Sequence, residues 1–176
     1  MFLERFFRPN AATAAGRALY TAVVARARDP ALYGDLAIPD TLEGRFEAYT
    51  LHVVLLLDRL RGQGRAAGDV SQALFDAYVK ALDNTLREMG VGDLSVGKKM
   101  RKLGEAFYGR VKSYGVAFEA LPDRQPLDDL LTRTVYAEAV DGPAAAFGDH
   151  VLAEREALAD LPLEGFLAGD TGWVRP

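Results

Sequence analysis

Apolar residues recur along the chain at intervals of three and four, broken by glycine and proline, which is the period of amphipathic helices. The first stripe is Leu19, Tyr20, Val23, Val24 and Ala27. It predicts a helix from Asn10 to Arg28, with Asn10 as N-cap and Arg17, Arg26 and Arg28 facing out. Asp29-Pro30 stops it, because the residue before a proline is driven out of helical space. Ala31 to Asp35 makes a short turn with Leu32, Tyr33 and Leu36 inward. The next helix runs from Thr41 to Arg61. Phe46, Tyr49, Thr50, Val53, Leu57 and Leu60 form one stripe, and Leu51, Val54, Leu55 and Leu56 widen it. A helix apolar nearly all round belongs in the middle of a bundle.

Gly62-Gln63-Gly64 ends that helix. Asp69 is the expected cap of the following one, whose stripe is Val70, Leu74, Phe75, Tyr78, Leu82, Leu86 and Met89. Gly90 suits a left-handed C-terminal position. Ser95 or Asp93 then caps a long helix with the stripe Val96, Met100, Leu103, Phe107, Val111, Tyr114, Phe118 and Leu121, ended by Pro122. Leu127 to Val140 and Pro143 to Ala159 read as two further helices, Pro143 in a first-turn position. Phe166, Leu167 and Trp173 are the anchors of the end. No strand-like alternation, internal repeat or low-complexity tract is present in the sequence. The expected fold is all-α, a single-domain irregular helical bundle of about six to seven helices. It divides into an aromatic and basic N-terminal segment (1–9), a helical domain (10–161) and a C-terminal tail packed on that domain (162–176).

A length of 176 residues supplies one domain with a real core. Such a chain buries roughly 70% of its unfolded surface and needs no metal or disulfide to hold it. The apolar fraction of 49% excludes a disordered chain. With no cysteine, thiol catalysis and cysteine-held zinc or iron–sulfur centres are excluded. No apolar run approaches the ~20 residues of a membrane span, and the N-terminus has no long apolar signal core. The expected location is therefore cytoplasmic. Phe2, Phe6 and Phe7 stand at helical spacing among Arg5 and Arg8. They suit either a terminal turn docked on the core or a weak interfacial membrane foot.

Charge changes the picture locally. Lys98, Lys99, Arg101, Lys102, Arg110 and Lys112 face one anion, Glu105, in a chain of formal net charge −4. This ridge, with Tyr108, is the candidate partner-binding surface, open to three readings. It can be a solvated helix face, a partner for the acidic C-terminal part of the same chain, or a contact for an external acidic surface such as ribosomal RNA or anionic lipid. Glu119 to Asp160 holds ten acids against three arginines, which motivates the second reading. Only Tyr108 is free to stack on a base, so sequence-specific RNA reading is not supported, and DNA is not an expected partner.

Other chemistry fails on its residues. Gly92-Asp93-Leu94-Ser95-Val96-Gly97-Lys98-Lys99 approaches a phosphate-binding loop, but Lys99 stands where the magnesium-holding hydroxyl belongs, and Asp93 would repel phosphate. A di-iron bundle needs Glu three residues before each His; Tyr49 and Phe147 stand there. Glu43 and Glu47 share a face and are expected to be solvated. No catalytic residue, metal ligand or cofactor is expected. A small helical enzyme using His52 with Glu47 or Asp58 is the most distant alternative.

The run Leu86-Arg87-Glu88-Met89-Gly90-Val91-Gly92-Asp93-Leu94-Ser95-Val96-Gly97-Lys98-Lys99-Met100, continuing to Glu105-Ala106-Phe107-Tyr108-Gly109-Arg110, resembles the ubiquinol–cytochrome c chaperone family. So do Ala31-Leu32-Tyr33 and Ile38-Pro39-Asp40-Thr41-Leu42-Glu43-Gly44-Arg45-Phe46-Glu47, leading into Leu51-His52-Val53. The resemblance covers Leu19 to Tyr114 and is less distinctive in the acidic C-terminal third. It implies a non-enzymatic assembly factor for the cytochrome bc1 complex. Mitochondrial members bind newly made cytochrome b near the ribosomal exit tunnel with a small partner protein. The chain lacks a mitochondrial-type extension and so resembles a bacterial member. The expected partners are cytochrome b or a bc1 assembly intermediate, the ribosome near its exit tunnel, and the inner membrane as a peripheral contact at its cytoplasmic face. A ribosome-, RNA- or membrane-surface-binding module acting through the ridge is the alternative.

Overall fold

A computed structural model describes residues 11–137 and 142–173, with eight helices and no strand among them. Helix α1 (Ala11–Arg26) buries Ala15, Gly16, Leu19 and Val23. Arg26, expected on the outside, turns inward to Glu154 and also pairs with Asp29 at 2.8 Å. Asp29 accepts from the Ala31 backbone N–H and caps α2 (Pro30–Tyr33), so the turn expected there is a short helix. Helix α3 (Leu42–Leu60) is capped by Thr41, whose hydroxyl accepts from the Gly44 N–H at 3.1 Å.

Helix α4 spans Arg65–Glu88, and Gly64 rather than Asp69 occupies its N-cap. Asp69 lies inside the first turns, because the helix begins as soon as the left-handed Gly62 and Gly64 have reversed the chain. At its other end Met89 is the C-cap and Gly90 has φ +80°. Gly90 N–H bonds Arg87 C=O and Val91 N–H bonds Leu86 C=O, which is the Schellman arrangement. Helix α5 (Asp93–Glu119) starts from Gly92 without a side-chain cap, so neither Ser95 nor Asp93 plays that part. Asp93 sits in the first turn, favourable for the helix dipole, and accepts from Arg87 of α4.

Helix α6 (Gln125–Thr134) ends earlier than its apolar pattern suggested, and Val135, its C-cap, and Tyr136 are buried just beyond it. Helix α7 (Ala144–Asp160) follows Pro143, its N-cap, and α8 (Leu163–Ala168) buries Phe166. Arg59 of α3 donates to the carbonyls of Leu158 and Leu161 at the end of α7 and lies over the Phe166 ring at 5.0 Å. One cation thus satisfies a helix terminus and seats the last helix. Phe2, Phe6 and Phe7, the Asn10 cap and Val140 lie outside the described residues.

The core is organised around α3. Leu51 to Leu56 are all buried, and α3 packs on α1, α4, α5 and α7. The all-round apolar pattern therefore places this helix centrally, as its sequence predicts. Helix α1 lies along α4, with Gly16 at the contact: a Cβ there would sit 2.5 Å from the Ala73 Cβ and 2.6 Å from its backbone. Helix α6 bridges α5 and α7, and α8 rests on α1 and α4.

Candidate functional site

The α4–α5 corner presents two surfaces. The first is the outer face of α5. Its inner stripe buries Val96, Phe107, Tyr114 and Phe118 against the core. Lys98, Lys99, Arg101, Lys102 and Lys112 are exposed, and among the described residues none is ion-paired. Tyr108 is exposed too, its ring 5.8 Å from Phe75. Arg110 departs from this company. It reaches inward and grips Glu47 of α3 with two bonds, Nε to Oε2 at 2.8 Å and Nη2 to Oε1 at 2.7 Å. Glu47, expected to be solvated beside Glu43, is 5% exposed. These hydrogen bonds raise the already high pKa of the Arg110 guanidinium, so it is a fixed charge clamping α5 to α3.

Among the described residues no ion pair joins the acidic C-terminal helices to the ridge. Asp128 and Asp149 are taken by Arg124, and Glu154 by Arg26. Among the described residues, then, the one ridge cation paired with an acid of the chain itself is Arg110, with Glu47 of α3.

The second surface is an open groove of about 460 Å³ between α1, α3, α4 and α5. Its wall is apolar: Tyr20 and Val24 of α1, Phe46 of α3, Leu82 and Leu86 of α4, Leu103 of α5. Leu42 and Met89 line it and are 52% and 56% exposed, an unusual state for large apolar side chains in a chain with a full core. Arg28 and Arg45 also line the groove, Arg28 donating to the Tyr49 hydroxyl at 2.8 Å and Arg45 paired with Asp40 at 2.6 Å. Burial pushes the Tyr20 phenol up to about 12, so it stays neutral. Nothing in this lining is a nucleophile paired with a base.

His52 is fully buried in α3, and its Nδ1–H donates to the Ala48 carbonyl at 2.7 Å. Burial pulls its pKa down to about 4. Glu47 and Asp58, the partners a catalytic reading required, are held elsewhere, by Arg110 and by Arg155 and Arg61. His52 instead meets the Trp173 ring edge-on at 5.6 Å. No group of three or more His, Asp or Glu side chains among the described residues is placed to hold a metal.

The match of a family model decides what this scaffold is related to. The model of the ubiquinol-cytochrome C chaperone family matches residues 34–173. The chain belongs to that family. The match reaches through α6, α7 and α8, beyond the central run where the resemblance was most distinctive, and begins just after Ala31-Leu32-Tyr33. A crystal structure of the Cbp3 homolog from Brucella abortus superposes with a TM-score of 0.83 at 38% identity, covering 97% of this chain and 94% of that one. The ubiquinol-cytochrome-c reductase complex assembly factor 1 of Xenopus laevis is 25% identical over 125 residues, 71% of this chain. This chain spans 62% of the length of that relative.

In this chaperone-family chain, the groove is what sequence reasoning missed. Tyr20, Val24 and Met89 belong to stripes that read as core, Leu42 opens α3 outside its stripe, and only the packing shows that these helices diverge here. Arg110 had no sequence signal either, since its partner lies 63 positions away. Among the described residues no helix is long and apolar enough to cross a membrane.

Proposed function

We propose that this protein is a non-enzymatic assembly chaperone of the cytochrome bc1 complex, working at the cytoplasmic face of the inner membrane. Its client is newly made cytochrome b, or another bc1 subunit, held in the groove between α1, α3, α4 and α5. The observation that carries the reading is the family match over residues 34–173. The groove supports where the client sits. An apolar groove lined with exposed Leu42 and Met89 accepts an amphipathic helix or a helix end of a client by its anchor side chains. Holding requires no nucleotide, in keeping with a Gly92–Lys99 stretch that forms the N-cap and first turns of α5. His52, neutral and walled in by core, supports a structural part for the one histidine a catalytic reading would use.

The experiment has two arms. Deleting the gene should deplete haem-loaded cytochrome b in the membrane; a normal level refutes the assembly role. A photo-crosslinker at Met89 or Leu42 should capture nascent cytochrome b, while one at Asp76, on the exposed side of α4, should not. Equal capture from both positions refutes the groove as the holding site.

A further inference from the structure

Three of the large apolar side chains left exposed fall on one line of α5. Leu94 is 102% exposed, Tyr108 62% and Val116 56%. The residues between them at helical intervals are Lys98, Arg101, Glu105 and Lys112. Leu94, Lys98, Arg101, Glu105, Tyr108, Lys112 and Val116 therefore form one stripe at steps of three and four, on the face opposite the buried one. From Leu94 to Val116 the stripe is about 33 Å long at 1.5 Å per residue. Lys102 flanks it, and its cations are without ion pairs among the described residues.

We propose that this stripe is a docking strip for an anionic lipid bilayer, with α5 lying along the membrane surface. The argument is complementarity on both counts. Cations meet lipid phosphates, while Leu94 and Val116 at the two ends and Tyr108 near the middle enter the headgroup–acyl boundary. A nucleic acid would use the cations but has no place for an isolated leucine and valine at the ends of the row. The Glu47–Arg110 clamp holds the strip's helix to the core at its far side, so the face is rigid when it docks. Leu103, in the groove lining, lies on the opposite side of α5 from the strip. The inference stands apart from the client reading, since a protein that held no client would still bind vesicles.

The test is flotation of the purified full chain with neutral phosphatidylcholine vesicles and with vesicles enriched in phosphatidylglycerol. The protein should bind the anionic vesicles, not the neutral ones, and be released by salt. Lys98→Gln with Arg101→Gln and Lys112→Gln should weaken binding roughly a hundredfold. Leu94→Ser with Val116→Ser should weaken it about tenfold, with little change in melting temperature, because Leu94 is fully and Val116 more than half in water. Phe2→Ser with Phe6→Ser and Phe7→Ser separates the N-terminal segment from the strip. No binding to anionic vesicles overturns the proposal. So does binding that falls only in the phenylalanine variant. Loss in the charge variant with none in the apolar variant also overturns it, leaving simple electrostatic adsorption. RNA binding without vesicle binding would make the strip a nucleic-acid contact instead.

Discussion

Arg110→Met removes the guanidinium that holds both oxygens of Glu47. The two partners differ in their access to water: the Glu47 side chain is 6% exposed and that of Arg110 25%. An isolated carboxylate at the Glu47 position has no route to solvent without opening the α3–α5 contact. Breaking a buried pair by removing one member costs about 3 kcal/mol or more. For a domain of this size that lowers the melting temperature by roughly 6–12 °C. The opposite change, Glu47→Gln, leaves a guanidinium on a long arm already at the edge of water, and costs about 1 kcal/mol. The combination is the sharpest observation: adding Glu47→Gln to Arg110→Met removes the uncompensated charge, so the double variant should be more stable than Arg110→Met alone. Urea unfolding of the three variants measures this. An Arg110→Met loss below about 0.5 kcal/mol, or a Glu47→Gln loss larger than it, refutes the clamp.

Two glycines should respond in opposite senses to alanine. At Gly44 a Cβ would lie 1.9 Å from the Pro39 carbonyl oxygen, backbone that cannot move aside, so Gly44→Ala should leave little soluble, cooperatively melting protein. At Gly104 a Cβ meets nothing within 4 Å, so Gly104→Ala should raise stability by about 1 kcal/mol, read as a higher denaturation midpoint. Acid should destabilise the fold through His52. Its native pKa of about 4 lies below the unfolded value of 6.5, so the unfolded chain takes the proton first. This contribution is intact above pH 6.5 and is lost as pH falls toward 4, with a slope on the order of 1 kcal/mol per pH unit. His52→Gln should flatten that part of the stability profile, and an unchanged slope would refute the assignment.

Much of this molecule was legible in the sequence, for a physical reason that holds helix by helix. A stripe such as Val96, Phe107, Tyr114 and Phe118 states which side of its own helix is wet, because the backbone repeats every 3.6 residues whatever surrounds it. The same local logic gives the start of α3 beside Thr41, the Gly90 terminus and the central place of Leu51–Leu60. Local logic was weaker at helix starts, where Gly62 and Gly64 turned the chain before Asp69, and at the C-terminal end, where α8 depends on Arg59 from a distant helix. The central glycine-and-lysine run, with Ala31-Leu32-Tyr33 and the stretch from Ile38 to Val53, also carried the family likeness. What the sequence determined by itself was thus the six longer helices, most of the buried stripe of each, and the family, while α2 and α8 fell where a turn and a tail were expected. What only the tertiary structure decided was which charges are free and which apolar residues are left over. Arg110 and Lys112 look alike in the chain, yet one is spent on a buried carboxylate and the other stands in water, because ion pairing depends on where α3 lies. Leu86 and Met89 look like successive members of one stripe, yet between them the core ends and the groove opens, because exposure is set by how four helices diverge.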